Sequence, residues 1–261
     1  MIAVPSQSYE IAQTEVTYEL WSAVLTWALA NGYTFANAAT TGTKGSSGSG
    51  SDQQPVTTIR WYDAIVWCNA LTEYYAAKGG TSYKCVYYTD PDYITPIHST
   101  SNIGTLYIYG AATGNTDMAK YTAKGFRLPT SNEWNQAAQY IDGTNYYPGY
   151  FTSGADAGFD VTSGASDYDG DGDVDYTDNV AVYKSNSGAT AKVMSKNPNK
   201  LGLYDMSGNV WEWCFDTHGS WKFTRGGGWQ SNAEDLQIVT NYFVYPDMSD
   251  VDIGLRPVRT Q

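Results

Sequence analysis

Only three stretches of this chain repeat apolar residues at helical spacing, and every strand candidate between them is short. In "EVTYELWSAVLTWALANGY", Val16 and Thr17 favour strand, after which Leu20, Trp21, Val24 and Trp27 trace one helical face that Gly32 stops. A second helix is predicted at about residues 61 to 77, with Ile65, Cys68 and Leu71 inward and Gly79-Gly80 as its end. In "GFRLPTSNEW", Thr130 or Ser131 can cap a third helix, with Glu133 closing the first turn ahead of Trp134, Ala137 and Ala138. The connections are long and polar. "ATTGTKGSSGSGSDQQP" reads as a flexible surface loop, residues 81 to 124 as short Tyr-rich strands in loops, and between about 141 and 200 only "NVAVY" looks like strand. Few helices, short strands and long loops argue for an α+β fold whose loops carry the function. No break in composition divides the chain, so residues 1–261 are expected to form a single domain.

A formal net charge of -12 argues against a nucleic-acid partner, because phosphate affinity needs clustered Lys and Arg. No apolar run approaches the roughly 20 residues that span a bilayer. Cys68, Cys85 and Cys214 are too few and too scattered for a disulfide scaffold or a zinc site. Cys68 fits a small buried hydrophobe. His98 and His218 are the only histidines, and neither has a nucleophile motif beside it. With 23 Tyr and 9 Trp, some aromatic rings must reach the surface, where they can fill a partner's pocket.

The densest chemistry lies in "DYDGDGDVDYTD", residues 167 to 178. Asp167, Asp169 and Asp171 match the first three ligand positions of a calcium loop, Gly172 supplies its turn, and Asp175 and Asp178 match the last two, with Asp173 adding a main-chain oxygen. So many carboxylates repel one another unless a cation neutralises them; the plainer alternative is an acidic solvated turn. The expected ion is a structural Ca2+ that pins a long insertion with little apolar content.

Taken together, "EVTYELW", "RWYDAIVWCNAL", "GFRLPTSNEW", "LGLYDMSGNVWEW", "RGGGW" and "IGLRPVR" resemble, in order and spacing, the signature of the formylglycine-generating-enzyme, or sulfatase-modifying-factor, domain. The resemblance implies a C-type-lectin-like α+β fold with long loops. In the enzymes of that family, two cysteines shortly after the "RGGS" motif bind copper. The matching positions here are Ser231 and Leu236, which cannot supply thiolates, so the resemblance implies no copper and a scaffold without the family's catalysis. It also implies a second calcium site at "YDMSGNVWE", formed by Asp205, the carbonyls of Gly208 and Val210, and Glu212. The same residues could simply form a turn that buries Trp211 and Trp213.

Within this fold class, diversity-generating retroelements rewrite codons near the C-terminus to make a changeable binding surface, and "IGLRPVR" resembles the element that closes such a segment. Similarity to these variable proteins, treponemal ones among them, implies a monomeric, non-catalytic display protein that binds a variable protein or surface ligand through residues of about 225–259. Its expected location is the cell surface or periplasm, with any lipid anchor on a segment this chain does not include. An enzyme with altered chemistry on the same scaffold is the competing reading. The residues agree with display: "NYFVYPDMSDVD", residues 241 to 252, has the mix of rigid aromatics and small polar groups of a paratope. Its candidate binding residues, with those just upstream, are Gln230, Asn232, Glu234, Asp235, Thr240, Tyr242, Val244, Tyr245, Asp247, Met248, Ser249 and Asp250. They are expected to be mostly exposed and on one face.

Overall fold

The computed structural model describes residues 1–42, 51–101, 103–109 and 123–261. Part of the Gly/Ser loop, residues 43–50, and part of the Tyr-rich stretch, residue 102 and residues 110–122, lie outside the described residues. In chain order the elements are β1 (Ile2–Ala3), β2 (Tyr9–Ile11), α1 (Tyr18–Ala30), β3 (Thr40–Thr41), β4 (Val56–Thr57), α2 (Trp61–Ala77), β5 (Tyr87–Tyr88), β6 (Tyr107–Ile108), β7 (Phe126–Arg127) and α3 (Ser131–Gln139). They continue with α4 (Thr177–Val180), β8 (Trp211–His218), β9 (Trp221–Arg225), a 3-10 turn (Ala233–Leu236), β10 (Asn241–Val244), β11 (Ile253–Gly254) and β12 (Val258–Thr260).

Two four-stranded sheets organise the fold. One runs β1-β2-β12-β7, so the last strand is hydrogen-bonded between elements from the start and the middle of the chain. The other runs β10-β9-β8-β11, antiparallel except for the β8–β11 pair. Strand β8 lies between two apolar clusters, which is why four consecutive residues from Trp211 to Cys214 are buried: Trp211 and Trp213 join the cluster with α1 and α2, while Cys214 joins that of α3. Two of the buried tryptophans bond their N–H groups across the core, Trp61 to the Cys214 carbonyl at 2.9 Å and Trp213 to the Ile59 carbonyl at 3.1 Å, whereas the Trp21 N–H finds no partner among the described residues.

The helix signals are matched closely. Thr130 caps α3 by accepting from the Glu133 N–H, and the Glu133 carboxylate accepts from the Thr130 N–H in return. The same carboxylate is gripped by Arg127 through two 2.7 Å bonds. In α1, Trp21, Val24 and Ala28 point inward, whereas Leu20, assigned to that face from the sequence, is 39% exposed and Trp27 only half-buried. Helix α2 is buried on all sides from Ala64 to Leu71, not on the single face that Ile65, Cys68 and Leu71 define.

Two strand expectations are corrected. "NVAVY" holds the end of α4, because the Asn179 side chain accepts from the Tyr176 N–H and closes a helical turn; only Val182 then makes a bridge, to Gly208. Val16 and Thr17 are not a strand either, since the Val16 N–H and carbonyl serve two different segments, at Leu255 and Val56. Residues 241–244, read from the sequence only for their paratope-like composition, form β10 against β9.

Candidate functional site

Three clusters bear on function. The acidic loop folds around a residue the sequence reading did not include. Asp156, buried 11 positions ahead of Asp167, accepts from the N–H groups of Tyr168 (2.8 Å), Asp169 (3.1 Å) and Asp175 (2.7 Å). Carboxylate oxygens of Asp156, Asp167 and Asp169 lie within 4.8 Å of one another, a grouping that could hold a metal ion. The oxygens are hard donors that suit calcium. Gly170 and Gly172 take the left-handed backbone that lets the loop turn, with φ of +74° and +97°. The Lys200 ammonium stands 3.2 Å from Asp169 and 3.9 Å from Asp171 and would have to yield to an ion. Asp173 accepts from the Val174 N–H, and Asp175 is tied to Asn197. Asp178 sits on α4 and accepts from the Tyr183 hydroxyl at 2.8 Å, so it is not gathered with the others. Burial and the Asp169 carboxylate push the Tyr147 hydroxyl, which donates to Asp169, well above the ordinary tyrosine range.

The segment 205–212 forms the second cluster, wholly buried. Glu212 is held by Arg256 at 2.8 Å and by the Trp134 N–H at 2.7 Å. Glu15 accepts from the Asn209 side chain and from the Val210 N–H. Asp205 accepts from the Met194 N–H through one oxygen, while its buried Oδ1 has no partner; burial pushes its carboxyl up to about 6. Gly208 is required sterically, since a Cβ there would meet the Val182 carbonyl oxygen at 2.4 Å. Of the two predicted side-chain ligands, Asp205 therefore has a free oxygen and Glu212 does not. Glu15, remote in sequence, was not recognisable as part of this cluster.

The third cluster is the C-terminal surface. The β10–β9 register pairs Tyr242 with Thr224 and Val244 with Lys222, placing Phe243 on the opposite face against Phe223, with ring centroids 4.8 Å apart. After β10 the backbone is tied at intervals: the carbonyls of Pro246, Asp250 and Asp252 accept from the N–H groups of Trp61, Thr58 and Trp211, and that of Val251 accepts from the Trp229 indole. The side chains are left outward. None of the twelve candidate binding residues is buried; Tyr242 is 61% exposed, Tyr245 46% and Met248 57%. Tyr242, Val244, Tyr245, Met248, Ser249 and Asp250 line a cavity of about 420 Å³. Gln230, Asn232, Glu234, Asp235 and Thr240 do not; they lie on or beside the 3-10 turn, where Thr240 reaches the Glu234 carbonyl. Asp247 lies outside it as well, 3.6 Å from Arg60.

The cavity also has walls that the sequence reading missed. Trp211 faces Tyr242 at 5.9 Å, Trp221 stacks on Tyr245 at 3.7 Å, and Asp252 contributes a carboxylate. "WKFTR" after Gly219 carries the alternation that could have located Trp221 on a hairpin strand beside the candidate surface.

At the positions of the family's copper cysteines, Ser231 accepts from the Gly228 N–H and Leu236 packs with Ala155, Val180 and Tyr183. The three cysteines are all unpaired and buried elsewhere, and burial raises each thiol. No helix of the described residues is long and apolar enough to cross a membrane.

Residues 2–261 match the family model for the sulfatase-modifying factor enzyme 1-like domain. The chain is 31% identical over 244 residues to the chaperone protein LppX of Paenibacillus barcinonensis, an alignment covering 82% of this chain and 73% of that one. Among solved structures it is similar to CarF, at 28% identity and a TM-score of 0.69, covering 97% of this chain and 86% of that one. It is also similar to variable protein 1 of Treponema denticola, at 27% identity and a TM-score of 0.62, covering 97% and 84%.

Proposed function

Because the chain belongs to the sulfatase-modifying factor enzyme 1-like domain family, and so has the C-type-lectin-like α+β fold of formylglycine-generating enzymes, we propose that it uses that scaffold to bind and not to catalyse. The region at about 225–259 acts as a changeable, retroelement-diversified surface for a protein or surface ligand, displayed at the cell surface or in the periplasm by a monomer. One observation carries this reading. From Tyr245 to Asp252 the main chain is fixed by bonds from Thr58, Trp61, Trp211 and Trp229, while the intervening side chains face out. Such a stretch can change its side chains without changing its path. The names of two similar proteins, one a chaperone and one a variable protein, fit work done by binding.

Structural calcium belongs to the same proposal, with Asp167 and Asp169 as ligands and Asp156 added to the set, and with Asp205 offering its free oxygen at the other site. What the ion supplies is cross-linking of a loop that has little core of its own.

Replacing Tyr242, Tyr245, Met248 and Asp250 together with serine is expected to leave the thermal midpoint within a few degrees of the parent, since surface changes cost within about 0.5 kcal/mol apiece. Calorimetry of the fourfold variant checks this, and a variant that no longer folds cooperatively would return these residues to the core. A reverse transcriptase gene beside this one, with a template copy of the C-terminal segment, would support the diversification; a locus lacking both would count against it. The protein is also expected to leave the cysteine of a sulfatase-type peptide unoxidised, with or without copper, because Ser231 and Leu236 stand where thiolates are needed. Mass-spectrometric detection of formylglycine in that peptide would overturn the non-catalytic reading.

A further inference from the structure

The cavity beside β10 has a one-sided chemistry. Its walls are the rings of Trp211, Trp221, Tyr242 and Tyr245, and two carboxylates, Asp250 and Asp252, lie among them. No Lys, Arg or His of the described residues lines it. Lys222, which pairs with Val244 on the neighbouring strand, turns its ammonium onto the Trp61 ring at 3.7 Å and bonds the Phe215 carbonyl. Arg60 is engaged by Asp63 and Asp247. Among the described residues the Asp250 carboxylate bonds only the neighbouring Val251 N–H, and no side chain pairs with Asp252. Burial and the nearby Asp250 charge push the Asp252 carboxyl up to about 6, the behaviour of an acid that lacks a counter-charge.

We propose that this cavity takes the cationic side chain, lysine or arginine, of a protein partner. The proposal rests on the reading of this face as a binding surface and names what that surface takes. Aromatic faces attract a cation through their ring quadrupoles, most strongly where the cation is desolvated. An anion would meet two carboxylates, and a neutral apolar group would cover Asp252 without neutralising it. A volume of about 420 Å³ admits one long side chain, and the exposed Tyr242 and Met248 beside it extend the contact beyond what a small cation could use. The net charge of -12 favours approach by a basic surface.

The test titrates the intact protein with N-acetyl-lysine amide and N-acetyl-arginine amide, against the uncharged N-acetyl-norleucine amide and N-acetyl-citrulline amide. Indole fluorescence and the NMR shifts of the Trp211 and Trp221 side chains report binding. The charged probes are expected to bind at least roughly tenfold more tightly than their neutral counterparts. Asp252→Asn should remove that preference, and Asp250→Asn, at the more exposed carboxylate, should reduce it. Asp92→Asn, at an exposed acid between β5 and β6 that does not line the cavity, should leave it unchanged. The other titratable groups lining the cavity are Asp250, Tyr242 and Tyr245, so affinity is expected to hold above pH 6 and to fall below it, as Asp252 protonates, towards that of Asp252→Asn. Equal binding of charged and neutral probes overturns the proposal, as does a preference that survives in Asp252→Asn. Tetramethylammonium binding more tightly than either amino-acid probe would make this a small-cation site and overturn the assignment to a protein side chain. None of these outcomes depends on whether the fourfold serine variant folds, so failure here and failure of the display reading can be told apart.

Discussion

Arg256→Met is expected to destabilise the domain by about 3–5 kcal/mol, enough to unfold most of a chain of ordinary stability. Arg256 is fully buried, bonds Glu212 through its guanidinium, and donates to the carbonyls of Ala12 and Tyr204 at 3.1 and 2.8 Å. Its charge also bears on Glu15 and Asp205, which burial pushes upward and which Arg256 pulls back down. Methionine fills much of the volume but leaves Glu212 with a buried charge and only the Trp134 indole for a partner. If the orphaned charge is what costs, adding Glu212→Gln to Arg256→Met should recover part of the loss, because the amide still accepts from Trp134. Denaturant unfolding of both variants reads the two values. A loss under about 1 kcal/mol for Arg256→Met would mean that the remaining acids neutralise at little cost and that the pair is not what joins the C-terminal segment to β8.

That ion pair also marks where a sequence stops being legible. The capping box of α3 was readable because Thr130 and Glu133 are three residues apart and their chemistry is local. The α2 boundaries were readable because the helical pattern starts and stops within a few residues of its signals. Glu15, Glu212 and Arg256 come from three distant parts of the chain, and no local pattern tells a carboxylate that will meet an arginine from one that will face water. The family resemblance supplied the C-type-lectin-like scaffold because it rests on such distant motifs in a fixed order. The C-terminal surface was half legible: the composition of residues 241–252 suggested outward aromatics, but the cavity needed Trp211 and Trp221, whose positions depend on the β8–β9 hairpin. Strand β10 itself was missed because its ladder partner, β9, ends 16 residues before it begins, and four residues give too short a period to recognise alone.

The acidic loop turns the same contrast into a measurement. Calcium is expected to raise the thermal midpoint, by roughly 5–10 °C at a hundredfold excess over its dissociation constant, since binding at that excess contributes about 2.7 kcal/mol and a chain of this size gains about 2–4 °C per kcal/mol. The spacing of the loop predicts that Asp178 is a ligand, while the structure gives Asp178 to Tyr183 and Asn186 and puts Asp156 in the cluster instead. Each variant is compared with itself in chelator, so that any loss of the hydrogen bonds Asp156 makes to the loop amides is subtracted. On that comparison Asp156→Asn should abolish the calcium-dependent rise and Asp178→Asn should keep most of it. The reverse result would mean that binding pulls Asp178 off α4 and rebuilds the loop in the order its sequence spells. No rise in the parent protein would leave the loop an acidic surface held by Lys200 and by its own amide hydrogen bonds.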